Sequence, residues 1–258
     1  MSTIIYTSPV FGPVHSRRLG VSLGINLLPG DGKVCSFDCI YCECGLNADH
    51  RPHSPLPTPQ QVSEALICKL RQMKKEGIQP DVLTFAGNGE PTLHPQFPEI
   101  VRQVKEIRDK MCPQAQLSIL SNATRIHIPE VREALLLFDN NIQKLDTVDI
   151  DYIRRVDRPQ AAYSVEQQIE HLALFDGKVI IQTMFMRGTV NGKSVDNTGE
   201  EYVLPYLQAL QRIRPRKVMI YTIDRETPVA GLEKALPEQL DAIAQRIREL
   251  GIETSVSY

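Results

Sequence analysis

The feature that most constrains the fold of this chain is a sixfold alternation of short β-rich runs with longer segments of helical period. That pattern lays down repeated βα units and a parallel sheet. Strands are predicted over Gly24–Leu28, Val82–Ala86, Gln116–Ser121, Ile142–Asp146, Val179–Met184 and Lys217–Thr222. Most are near-continuous apolar runs, as strands covered on both faces are. Helices are predicted over Pro59–Met73, Gln96–Lys110, Pro129–Phe138, Val165–Leu174, Glu200–Ile213 and Pro237–Leu250. In the first of these Val62, Ala65, Leu66 and Leu70 share a face, and in the last Leu240, Ile243, Ile247 and Leu250 do. Pro57 and Pro59 mark the start of the first helix, Ser164 can cap the fourth and Gly177 follows it.

A chain of 258 residues suits one α/β barrel, a fold that commonly takes about 250. The expectation is an α/β protein, a partial (βα)6 barrel of the TIM type with parallel strands. It forms a single domain over 1–258, with 1–19 as an N-terminal extension and 20–258 as the barrel. The polar stretch Arg187–Gly199, rich in Gly and Asn, reads as a long loop. With 42% apolar and 23% charged residues the composition is globular. A net charge of −2 gives no global attraction to phosphate backbones or anionic lipid, so nucleic acid is not implied as a partner. No run approaches the roughly 18 apolar residues of a membrane span, and the opening lacks the regions of a signal peptide. A cytoplasmic protein without a membrane partner is expected.

Of six cysteines, four crowd between positions 35 and 44. Disulfides belong to small exported chains, so reduced thiols that bind a metal fit better here. The run Cys35-Ser-Phe-Asp-Cys39-Ile-Tyr-Cys42 spaces three thiols as C-x3-C-x2-C just after the first predicted strand. Three thiolates on a cubane leave one iron open to a small molecule. Two alternatives stand beside this reading. A zinc site would recruit Cys44, His50 or His53 as its fourth ligand, although zinc cysteines usually come as C-x2-4-C pairs. An electron-transfer cluster would take Cys44, with a spacing unlike the ferredoxin patterns.

With an aromatic, Tyr41, before its last cysteine, the C-x3-C-x2-C run resembles the signature of the radical S-adenosylmethionine (SAM) superfamily. A second element agrees: Thr84-Phe-Ala-Gly87-Asn88-Gly89-Glu90-Pro91-Thr92, at the carboxyl end of the second predicted strand, resembles that family's glycine-glycine-glutamate motif. The resemblance implies that Cys35, Cys39 and Cys42 hold a [4Fe–4S] cluster and that SAM chelates the open iron. An external one-electron donor, flavodoxin- or ferredoxin-like, would then drive cleavage of SAM to methionine and a 5′-deoxyadenosyl radical that abstracts hydrogen from a substrate. Gly87 and Gly89 would let the backbone approach SAM, and the Glu90 carboxylate would receive its ammonium group. Tyr41 belongs to the same candidate site.

Other strand ends extend the resemblance. Ser121 and Asn122 are similar to the polar pair used on the ribose or carboxylate of SAM, with a helix-initiating turn as the plainer reading. Lys144 and Asp146, two apart on one strand, share a face; they are site residues or a structural ion pair. Gln182 interrupts an apolar strand and needs a polar partner, either a ligand or a core hydrogen bond. Tyr221, with Thr222, Asp224 and Arg225, would lie near adenine or substrate. Arg17-Arg18 would bind a carboxylate or phosphate, or be solvated.

From Ser16–Gly20 through Gly24–Leu28, the cysteines, Gly87–Thr92 and Ile220–Arg225, the whole chain looks like the subgroup related to tRNA wyosine synthases. The departure is that no cysteine precedes Cys35, while Cys44, Cys68 and Cys112 are too dispersed to build a second cluster. A tRNA activity is therefore not assigned, because fold analogy does not supply a site. The compact chain also resembles activases of glycyl-radical enzymes. The substrate is not legible.

Overall fold

The computed structural model describes residues 3–16 and 20–258. Contacts divide the chain into two compact units, one of Ile4–Cys35 with Asn47–Asn141, the other built mainly of Ser36–Leu46 with Ile142–Tyr258.

In the first unit β1 (Val10–Ser16) runs antiparallel to β2 (Gly20–Ile25). After β2 come α1 (Pro59–Lys75), β3 (Val82–Phe85), α2 (Phe97–Met111), β4 (Gln116–Ser121) and α3 (Pro129–Leu135). Strands β2, β3 and β4 are parallel neighbours. Helix α1 starts where Thr58 and Gln61 form a capping box, each side chain accepting from the other's backbone N–H. It buries Val62, Leu66, Leu70 and Met73, a stripe at helical spacing that faces the sheet layer. At the core Phe85 meets both Phe97 and Phe138 edge-on. Burying each such ring stabilises the fold by about 1.5–3 kcal/mol. The buried Arg108 donates to the Ala115 carbonyl and to Asp139, and Asp139 in turn accepts from Leu117 N–H, which ties α2 to the start of β4.

The second unit takes up the chain within β5 (Asn140–Lys144). It continues through α4 (Ile150–Val156), α5 (Val165–Ala173), β6 (Ile180–Met184), β7 (Met186–Val190), β8 (Lys193–Ser194), α6 (Glu200–Ile213), β9 (Lys217–Tyr221), β10 (Leu232–Lys234), α7 (Pro237–Glu249) and β11 (Glu253–Ser257). Strands β5, β6, β9 and β11 pair in that order, all parallel. Strands β10, β7 and β8 form a small antiparallel sheet. Among the described residues no helix is long and apolar enough to cross a membrane.

The chain is thus α/β, with mostly parallel strands alternating with helices, as expected. Strands β1 and β10 were not predicted, and four further details differ from the sequence reading. The first parallel strand ends at Ile25 and not at Leu28, because the Asn26 side chain accepts from Leu28 N–H and donates to Leu28 C=O, turning the chain out of the sheet. The stretch Arg187–Gly199 is not one long loop. Asn191 and Gly192, both at positive φ (51° and 72°), turn β7 into β8, as an Asn-Gly pair does in a two-residue hairpin. Helix α4 was not predicted, although Asp149 caps it by accepting from Tyr152 N–H. Strand β11, Glu-Thr-Ser-Val-Ser, carries too little apolar signal to read as a strand.

Candidate active site

In the first unit, Val34 is held on both sides by the Gly87–Glu90 segment. Its N–H donates to Asn88 C=O at 2.9 Å and its C=O accepts from Glu90 N–H at 3.0 Å. Cys35 therefore leaves from a backbone bridged to the glycine motif. Both glycines have an internal reason to be glycine. Gly87 has φ +142°, and a Cβ there would stand 2.6 Å from Asn26 Oδ1. Gly89 has φ +129°, where side chains are strained whatever the space. Asn88 is fully buried and satisfied, accepting from Tyr6 N–H and donating to the Tyr6 and Pro29 carbonyls.

Glu90 is 2% exposed. Its carboxylate accepts from four protein donors: Thr92 N–H at 3.0 Å, the Thr92 hydroxyl at 2.5 Å, the Ser121 hydroxyl at 3.0 Å and Asn122 N–H at 2.6 Å. Four is about the acceptor capacity of a carboxylate. Burial raises its pKa above the ordinary carboxylate value, against the opposing pull of those hydrogen bonds. Within the protein, the Glu90 carboxylate joins the end of β3 to the end of β4. Asn122 continues the chain of contacts. Its Oδ1 accepts from Thr124 N–H and hydroxyl, and its Nδ2 donates to Cys35 Sγ at 3.5 Å.

In the second unit the other two cysteines sit on a turn, with Cys42 N–H donating to Cys39 C=O. The flanking backbone pairs with the end of α4: Asp38 N–H donates to Asp157 C=O at 3.0 Å and Ile40 N–H to Val156 C=O at 2.9 Å. Ile40 is fully buried in an apolar cluster with Tyr152, Val156, Met186, Val190 and Val195. This cluster anchors the cysteine turn by the hydrophobic effect as well as by hydrogen bonds.

Beside that anchor lies a buried charge cluster. Lys144 Nζ reaches Asp157 at 3.0 Å and also pairs with Asp146, with side-chain exposures of 14%, 2% and 1% for Lys144, Asp157 and Asp146. The Tyr41 hydroxyl donates to Asp146 and accepts from Lys144. Asp146 accepts from Met184 N–H as well. Burial works against the charged form of Lys144, but Asp146 and Asp157 outweigh it and hold the ammonium well above its ordinary range. Burial first, then the Asp146 charge, pushes the Tyr41 phenol well up. Burial pushes Asp157 up to about 6 against the pull of Lys144. Cys39 is hydrogen-bonded to Asp157 as well.

The candidate residues thus fall into two groups. Gly87, Gly89, Glu90, Ser121 and Asn122 gather with Cys35; Tyr41, Lys144 and Asp146 gather with Cys39. Lys144 and Asp146 form the ion pair that was their alternative reading. Gln182 is half-buried and stands in register beside Lys144. Tyr221, at the end of β9, is close enough for its charge to act on both Tyr41 and Lys144. Arg225 reaches back to Glu43, next to Cys42. Arg17 and Arg18 lie outside the described residues. Sequence reasoning missed Asp157, hidden in the charged run Arg154-Arg-Val-Asp157-Arg158 that reads as solvated surface, and Thr92, whose position two after Glu90 was the available signal.

None of the six cysteines is joined in a disulfide. Cys35, Cys39 and Cys42 are half-buried, the state suited to thiols that meet a ligand at a protected surface. Among the described residues no three His, Cys, Asp or Glu side chains are gathered around one metal position. The fit to an iron–sulfur cluster rests on the donor chemistry: three reduced thiols at C-x3-C-x2-C spacing, with the Asn122 amide N–H directed at one sulfur.

No protein-family model matches the chain. It is 29% identical over 225 residues to a protein named GTPase Obg from Brachyspira hyodysenteriae, covering 86% of this chain and spanning 31% of that relative's length. It is 32% identical over 228 residues to a UPF0026 protein of Synechocystis sp., covering 85% of this chain and 77% of that one. Among solved structures it is similar to a radical SAM methyltransferase from Sphaerobacter thermophilus, with a TM-score of 0.66 at 14% identity, over 92% of this chain and 66% of that one. It is also similar to TYW1 with a lysine–pyruvate adduct bound, with a TM-score of 0.63 at 15% identity, over 88% of this chain and 73% of that one. The structural likeness establishes the fold, and the sequence likeness establishes the kinship: the chain has the fold of radical SAM enzymes and belongs to the UPF0026 family.

Proposed function

We propose that this protein is a radical SAM enzyme in which Cys35, Cys39 and Cys42 hold three irons of a [4Fe–4S] cluster and SAM occupies the fourth. The observation that carries this is three half-buried thiols at C-x3-C-x2-C spacing on a chain whose fold is shared with radical SAM enzymes. When bound, the reduced cluster supplies an electron that cleaves SAM to methionine and a 5′-deoxyadenosyl radical. The protein's own share is positioning. Val34 and Ile40 hold the cysteine segment by buried backbone bonds. Asn122 donates toward Cys35, while Cys39 is hydrogen-bonded to Asp157 in the buried cluster of Tyr41, Lys144 and Asp146. Gln182 and Tyr221 are the polar groups we assign to the ligand-facing side. An external one-electron donor completes the system, and six cysteines outside any disulfide fit the reducing cytoplasm.

The GTPase name of one relative finds no support in these residues. The Gly192-Lys193-Ser194 triplet forms the β7–β8 hairpin, whereas a phosphate loop joins a strand to a helix N-terminus.

The test is anaerobic reconstitution with iron and sulfide, followed by dithionite and SAM. Release of 5′-deoxyadenosine, abolished by Cys39→Ala, is expected. Tightly held zinc with no bleachable brown chromophore, or a cluster that leaves SAM intact, would refute the proposal.

A further inference from the structure

Asn122 resembles a residue used on the ribose or carboxylate of SAM, and the structure shows what its amide does within the protein. Its amide has two ends, and their assignment is fixed by chemistry: Oδ1 lies 3.1 Å from Thr124 N–H, which can only donate, and 2.8 Å from the Thr124 hydroxyl. The NH2 end then necessarily faces Cys35 Sγ, at 3.5 Å. The residue is immobilised from the other side too, because its backbone N–H donates to the buried Glu90 carboxylate at 2.6 Å. Asn122 itself is 9% exposed, and its contact with the half-buried Cys35 sulfur is partly shielded from water.

We propose that Asn122 is a positioning residue that donates a hydrogen bond to the Cys35 sulfur and thereby raises the reduction potential of the cluster. This rests on reading Cys35 as a cluster ligand. A thiolate on iron carries negative charge, and an added electron increases it, so a fixed donor stabilises the reduced state more than the oxidised one. Glu90 and Thr124 serve the same end indirectly: one anchors the Asn122 backbone and the other orients its amide.

The experiment measures the cluster's midpoint potential in reconstituted full-length protein by redox titration followed by electron paramagnetic resonance, with iron content and 5′-deoxyadenosine release recorded in parallel. Asn122→Ala removes the donor. Asn122→Asp keeps the shape and the acceptor toward Thr124 but presents no N–H. Both are expected to disfavour reduction by about three- to tenfold at unchanged iron content, tenfold being about 59 mV for one electron. Asn122→Asp should shift further, because it adds a negative charge. Wild-type potentials in both variants would overturn the proposal. So would loss of iron from both, which would make Asn122 a structural brace. If the wild-type protein assembles no SAM-cleaving cluster, it is the functional reading that fails.

Discussion

A Cβ placed on Gly89 would stand 1.9 Å from the Val34 carbonyl oxygen, so the residue before the first motif cysteine and the second motif glycine share a space that admits no side chain. Gly89→Ala must therefore break the bridge that sets the exit of Cys35, and it also forces alanine into a strained φ, itself costing about 1–3 kcal/mol. The expected outcome is a loss of at least about 2 kcal/mol in urea unfolding of the cluster-free protein, with iron retention reduced to a minor fraction. Wild-type stability and full iron content in this variant would show that Val34 and Gly89 do not pack as described.

Glu90 gives a second prediction. In Glu90→Gln one oxygen becomes an NH2 group, which then faces a donor: Asn122 N–H on one side, or Thr92 and Ser121 on the other. A buried donor left unpaired costs about 1–3 kcal/mol, and this loss should appear in cluster-free protein without SAM. If Glu90→Gln melts like wild type and only SAM binding weakens, the carboxylate's task is ligand contact and not the joining of β3 to β4.

How much of this was legible in the sequence follows from which physical signal each part leaves. The apolar strands Val82–Phe85 and Ile180–Met184 and the amphipathic helices announced themselves by burial pattern. The cysteine spacing stands out for a different reason, because three thiols within eight residues are a pattern that a core or a surface rarely needs. Strand β11 was silent, since its register with β9 and not its own composition makes it a strand. The Asn191-Gly192 pair is the hairpin signal inside a stretch whose Gly and Asn content otherwise reads as loop. Lys144 and Asp146 could be placed on one face, but Asp157, their third partner, arrives from the end of a helix that capping by Asp149 creates. No local pattern brings it there. Likewise the glycines of Gly87-Asn-Gly-Glu90 read as making room for a ligand, whereas part of the room is taken by Val34 and Asn26.

The Lys144 cluster yields a third prediction. One buried ammonium holds two buried carboxylates and a phenol together, so Lys144→Met leaves Asp146 and Asp157 facing each other without compensation. Removing one partner of a buried ion pair costs about 3–5 kcal/mol. Adding Asp157→Asn to Lys144→Met should recover part of that loss, a coupling that a double-mutant cycle in urea reads directly. Equal destabilisation by the single and the double variant would mean that Lys144 stabilises by packing and not by charge.

The last prediction concerns acid sensitivity and His94, which is 3% exposed. Gln96 N–H donates to its Nδ1 at 3.1 Å, so Nδ1 carries no proton, and Nε2–H is left to donate to Pro57 C=O at 2.9 Å. Protonating Nδ1 would set two N–H groups against each other. Burial lowers the pKa of His94, with the Pro57 carbonyl pulling the other way. In the unfolded chain the imidazole titrates near its ordinary value of about 6.5. The sign follows from linkage: between the lowered folded value and about 6.5 the unfolded chain binds more protons, so stability rises with pH across that window and is lost as pH falls through it. His94→Asn keeps an acceptor near Nδ1 and does not titrate. Urea midpoints of cluster-free protein at pH 7.5 and pH 5.5 should therefore differ less in the variant than in wild type, even if the variant is less stable at both. An equal acid-induced drop in the two proteins would place the sensitivity in other groups.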